Sequence, residues 1–139
     1  MPLFRTAMYA ESVEIWCAPM VDERDVWRSS IRHIAHESRC SVISCCQVHP
    51  SPDELGRAVE RRDADRPLIG GGSVIVGPLR EVLQDRWSEE TGLLTAEIGT
   101  DNLVRARYDL DVTGHPSRPD IFSLKIDERP RHGAVFVKE

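Results

Sequence analysis

Four cysteines, Cys17, Cys40, Cys45 and Cys46, are the strongest nucleophiles in this 139-residue chain, which also holds five histidines. A thiolate paired with an imidazole base can attack an electrophilic carbon. Cys17, Cys45 or Cys46 could be paired in this way with His49 or His115. A catalytic thiolate needs a helix N-terminus or a cationic neighbour. Cys17, at a strand end just before a loop, is the best placed of the three. The plainer reading is that these thiols are inert core groups, the usual fate of cysteine in a strand. Cys40, Cys45, Cys46 and His49, with His33 and His36 nearby, also invite a metal reading. Zinc ligands usually come as spaced pairs on turns. Cys45 and Cys46 are adjacent in an apolar run, so their side chains leave on opposite faces. No metal and no cofactor are expected.

Gly70-Gly71-Gly72-Ser73 is the other eye-catching run. A phosphate loop needs its glycines after a strand and before a helix, with a lysine following. Here they precede a strand and no lysine follows. A tight turn into that strand is the expectation. Trp16 and Trp27 are expected to anchor packing, and the dense mixed charges of 57–66 to form a solvated face.

These residues need elements to hold them. Residues 2–10 form an expected helix with Pro2 at its first position. Its apolar side is Leu3, Ala7 and Ala10, with Phe4 and Met8 beside them. Residues 13–18 alternate as a strand, which Pro19 should end. Asp22 is the expected N-cap of a helix that runs to about Ser38. Val26, Trp27, Ile31, Ile34 and Ala35 make its apolar stripe. Residues 41–48 suit a strand buried on both faces. Residues 49–69 form the longest irregular loop. Strands are expected at 73–76, 81–84 and 92–98, then a helix capped by Thr100 or Asp101 and ending near Arg107. A tail segment, 109–139, carries a late strand on Phe122, Leu124 and Ile126, with another possible at 134–137. This order defines an α/β layered architecture.

Composition limits the function. Hydrophobic residues make up 40% and charged residues 29%, as in globular proteins. The formal net charge of −5 argues against nucleic acid as a partner. No apolar run is long enough to span a bilayer, so no membrane role is expected. Cysteines without a signal-like start suggest reduced thiols and a cytoplasmic setting.

Several separated segments resemble the nitrilase family of carbon–nitrogen hydrolases. Met1-Pro2-Leu3-Phe4-Arg5-Thr6-Ala7-Met8-Tyr9-Ala10 resembles the family's Met-Pro-Leu-x-Arg-x-Ala-x-Tyr-Ala helix. Val13-Glu14-Ile15-Trp16-Cys17-Ala18-Pro19 resembles the next strand, and Trp27 with Arg32-His33-Ile34-Ala35 the following helix. Gly71-Gly72-Ser73-Val74-Ile75 resembles a Gly-Gly-Ser-Val-Ile strand. Asp111-Val112-Thr113-Gly114-His115-Pro116-Ser117-Arg118-Pro119-Asp120-Ile121 resembles the Asp-Val-x-Gly-His-Tyr-x-Arg-Pro-Asp-Val tail. Cys45-Cys46-Gln47 stands where the family often has Ala-Asn-Gln, and Pro116 where it has tyrosine.

The resemblance implies a nitrilase-like αββα sandwich, with residues 1–139 its C-terminal portion, truncated at the N-terminus. It implies a Glu-Lys-Cys catalytic set. The cysteine thiolate adds to the nitrile carbon, the glutamate moves protons and the lysine stabilises developing charge. Water then releases ammonia and a carboxylic acid. The family's nucleophile would precede Met1 by about five residues, at a strand-to-helix elbow. The family's glutamate and lysine lie earlier still, so no catalytic residue is assigned within the chain. The expectation is a chain inactive alone, which takes a small nitrile only when the other half is supplied. Its alternative role is a non-catalytic piece that pairs with itself as a homo-oligomer or with a full-length nitrilase-like partner. A half sandwich should bare a sheet edge and an apolar face.

Overall fold

The computed structural model describes residues 1–56, 64–86, 89–129, 133 and 137. The elements are α1 (Pro2–Ala10), β1 (Ile15–Met20), α2 (Asp25–Ser38), β2 (Ser41–Cys46), β3 (Val48–His49), β4 (Ile69–Gly70), β5 (Ser73–Val76), β6 (Val82–Arg86) and α3 (Thr100–Asp109). The main sheet has the order β1-β2-β5-β6, and β3 pairs with β4 in a separate two-stranded ladder. β1 and β2 run parallel, joined by α2, while β5 and β6 follow antiparallel. The chain is thus α/β, as expected.

The core lies between α2 and one face of the sheet. Ile31 and Ala35 of α2 meet Val42, Val74 and Val76, with Cys40 beside them. Trp16, Ala18 and Trp27 close its margin. Burying an aliphatic side chain of this size contributes about 1.5–3 kcal/mol. The Trp27 indole N–H donates to Ser44 Oγ at 3.3 Å, which fixes the helix against β2. Arg28 and Asp85 join α2 to β6 by an ion pair.

Pro19 does not end β1. The strand continues to Met20, with Pro19 opposite Cys45. The Ser41 N–H donates to the Glu14 carbonyl, at the foot of this ladder. In a parallel ladder that register turns the backbone groups of even-numbered β1 residues toward β2 and those of odd-numbered ones outward. The N–H that proline lacks would therefore point off the sheet edge, where none is needed.

Other boundaries shift as well. Asp22 does not cap α2. Its carboxylate binds the backbone N–H and guanidinium of Arg24, and Arg24 holds the N-cap position. Gly99 precedes α3 in place of the expected Thr100 or Asp101, and the helix runs on to Asp109. The expected strand 41–48 breaks at Gln47, and its last residues join the β3–β4 ladder instead.

Two expected strands do not form. Residues 92–98 are without regular structure, although burial alternates along them as a strand's would. Thr95, Ala96 and Glu97 share a surface hollow with Leu83 and Gln84 of β6, so this segment runs beside the sheet without a ladder. The expected strand on Phe122, Leu124 and Ile126 is irregular and exposed. The Phe122 N–H turns back to the Arg118 carbonyl at 2.7 Å instead of entering a ladder. The expected 134–137 strand falls mainly outside the described residues, as does part of the 49–69 loop.

α1 buries Tyr9, not the Leu3 side. Phe4 and Tyr9 both meet Trp16 edge to face, at 6.3 and 6.1 Å between ring centres. α3 is tied in by Arg107, which donates to the carbonyls of Ser12 and Val13, and by Asp109, which binds Arg39 at 2.6 Å.

Candidate functional site

Helices cover one face of the sheet. The opposite face has a different character. Ladder alternation places Ile15, Cys17 and Pro19 of β1, Ile43 and Cys45 of β2 and Ile75 of β5 on this second side. Ile15 is 50% exposed, and Cys17 and Cys45 are also exposed. Ile75 is buried, because residues 91–94 lie toward the β5 end of this face.

A cavity of about 350 Å³ opens there, at the C-terminal end of β2. Ile43, Cys45, Gln47, Gly72, Ser73 and Leu94 are among its lining. Its walls are fixed by backbone geometry. Gly71 and Gly72 adopt φ of 91° and 111°, a region closed to ordinary L side chains. The glycine run is therefore a tight turn into β5, as expected. The Gly70 N–H is taken by the Glu23 carboxylate, which ties this turn to the start of α2. Ser73 Oγ accepts from the Cys46 N–H at 3.0 Å and donates to the Cys46 carbonyl at 3.2 Å. That one hydroxyl locks the end of β2 to the start of β5. Across the cavity, the Arg86 guanidinium lies against Gly92, where a Cβ would collide with it, and pairs with Glu90 at 3.2 Å.

Sequence reasoning named Cys45, Gln47 and the glycine run, and these do meet at one cavity. It also named Ser73, as the end of the glycine run, without its role, and it missed Glu23, Arg86 and Gly92. The Arg86–Gly92 approach had no signal, since it depends on a loop without regular structure.

The nucleophile–base pairs do not assemble among the described residues. His49 Nδ1 lies 3.3 Å from the Pro50 carbonyl. The described hydrogen bonds of the thiols run to Ser38 and Gln47, not to a histidine. Burial pushes the Cys40 and Cys46 thiols up, away from the thiolate form. Nearby Glu23 raises Cys46 further. Cys17 lies on the open face and does not line the cavity. His115 is exposed in the tail segment. Cys45 and Cys46 do face opposite ways, one exposed and one buried. Among the described residues no three His, Cys, Asp or Glu side chains converge as a metal site would require.

The carbon–nitrogen hydrolase family model matches residues 1–108. The chain belongs to that family. Its curated relatives are nitrilases. It is 45% identical to an aliphatic nitrilase of Sinorhizobium fredii (strain HH103), over 97% of this chain and 44% of the relative. It is 42% identical to an arylacetonitrilase of Trametes versicolor (strain FP-101664), over 94% of this chain and 42% of that one. Nitrilase 3 of Arabidopsis thaliana is 40% identical, over 99% of this chain and 42% of its own length. A solved carbon–nitrogen hydrolase from Helicobacter pylori G27 shares the fold. Its TM-score is 0.66 at 20% identity, over 87% of this chain and 43% of that one. The chain thus spans less than half the length of the relatives it matches, and its α/β layers are part of their fold.

Proposed function

We propose that this chain is the C-terminal portion of a nitrilase-type hydrolase, which converts a nitrile and two waters to a carboxylic acid and ammonia. In this reading the thiolate, glutamate and lysine come from polypeptide outside these residues. The chain contributes the cavity wall at the end of β2 and half of the layered core. The observation that carries the reading is the set of nitrilase relatives matching across nearly the whole chain.

The test is ammonia release from aliphatic and aryl nitriles. The purified 139-residue chain is expected to release none. Co-expression with the first part of the Sinorhizobium fredii aliphatic nitrilase is expected to restore release. Release by the pure chain, abolished by Cys17→Ala, overturns the reading. A second reading, a non-catalytic interaction piece, is favoured by the open sheet face. No helix among the described residues is long and apolar enough to cross a membrane, and a soluble, cytoplasmic location remains part of the proposal.

A further inference from the structure

We propose that His36 works as a proton-sensitive latch on the C-terminal end of α3. With a neutral ring, His36 and Arg39 hold Asp109 against the end of α2, and a proton on His36 frees it. The latch is a chain of three side chains. Arg39 caps α2 in the left-handed region, at φ 52°, and is 5% exposed. Its Nη2 donates to Asp109 Oδ2 at 2.6 Å, and its Nη1 lies 3.2 Å from His36 Nδ1. A guanidinium only donates, so Nδ1 is the acceptor and the neutral ring carries its proton on Nε2. The Arg39 Nε is buried without a partner among the described residues. This buried cation therefore rests on one carboxylate and one imidazole lone pair. A proton on Nδ1 removes that lone pair and sets a second positive charge beside the first.

The surroundings of His36 act in the same direction. Burial comes first in opposing a charged ring. Arg39, Arg80 in the turn between β5 and β6, and His33 one turn back on α2 add to it, while Asp109 favours the charge. Arg32, four residues back, shares that side of the helix. Glu37, the next residue, is turned to Tyr9 and Arg5. The C-terminal end of α2 favours a cation weakly. Together these groups hold His36 below its ordinary value of 6.5. A folded-state value below the free one gives a stabilising contribution that is complete above about pH 6.5 and is lost as pH falls. The part released is small. Leu103 and Ala106 stay buried, and Arg107 keeps the Ser12 and Val13 carbonyls, so the middle of α3 stays docked. Residues 110–113 follow Asp109 and border a small hollow with Tyr9, Ser12 and Ser38. Opening therefore frees the last turn of α3 and the start of the tail, a local event that leaves β2 in place.

The experiment is hydrogen–deuterium exchange of the 139-residue chain, read by mass spectrometry from about pH 7.5 to about pH 4.5. Rates are corrected for the intrinsic exchange rate at each pH. Peptides covering the end of α3 through Leu110 are compared with peptides covering β2. Protection at the α3 end is expected to fall several-fold between about pH 6.5 and about pH 5.5, while β2 keeps its own. His36→Gln, which stays neutral and keeps an acceptor, is expected to hold α3-end protection level across that range. His36→Arg and Asp109→Asn are each expected to show the low protection already at about pH 7.5. If a variant fails to fold, the pH series of the unaltered chain decides. Protection at the α3 end that first falls below about pH 5, where carboxylates take up protons, overturns the proposal. So does a loss shared by β2, a loss that persists in His36→Gln, or full protection near pH 7.5 in His36→Arg or Asp109→Asn. None of these outcomes bears on nitrile hydrolysis, which the ammonia assay tests separately.

Discussion

At the scale of single residues, Glu37 is the most connected acid in the helix layer. Its carboxylate accepts from the Tyr9 hydroxyl at 2.8 Å and from Arg5 at 3.4 Å. His33 lies 3.9 Å away. Burial pushes the Tyr9 phenol well above its ordinary value of 10.0, and the nearby Glu37 charge adds to the rise. A folded-state pKa above the unfolded one makes a stabilising contribution that is fully present below pH 10. It is lost as pH climbs toward the folded value. Stability should therefore fall above pH 10, and Tyr9→Phe should flatten that fall. At pH 7 the same substitution should cost about 1 kcal/mol, read as a lower urea midpoint. A Tyr9→Phe chain with an unchanged alkaline limb would show that the phenol does not drive it. Nothing in the sequence announced this triad, because Tyr9 and Glu37 are joined only once α1 has docked on α2.

At the scale of elements, legibility followed periodicity. α1, α2 and the strands of the main sheet were readable, from a helical stripe, from alternation in β1 or from a short apolar run in β2 and β5. Pro19 misled because proline stops a central strand but not the outward side of an edge strand. Residues 92–98 and 122–126 misled for the opposite reason. Their alternation is present, but a strand also needs a partner, which no local pattern reports. Val26 fits the helical stripe of α2 yet is 62% exposed, while its neighbour Trp27 is the residue of that turn that meets β2. The candidate cavity was half legible: Cys45, Gln47 and the glycines stood out, while Ser73 and Arg86 act through strand register and loop approach. The turn before β5 offers a direct check. Gly72→Ala forces a side chain into φ 111° and should destabilise the fold by about 1–3 kcal/mol. A chemical denaturation midpoint unchanged from the parent would contradict that strain.

At the scale of the whole molecule, the layers are lopsided. One sheet face is sealed by α2, while the other keeps Ile15, Cys17 and Cys45 in contact with solvent. Exposed apolar area of this kind ordinarily leads to uncontrolled association. Here Pro19 changes the direction in which association can proceed. Along the outward side of β1, the amide hydrogens of Ile15 and Cys17 are followed by a position that has none. An incoming extended chain finds an interrupted row of donors, so growth by strand addition is blunted. An edge interrupted in this way disfavours fibril growth by strand pairing. Pro19→Val should complete the row. It should shorten the lag of thioflavin-positive aggregation several-fold under gentle agitation, while an unaltered lag would remove proline from that role.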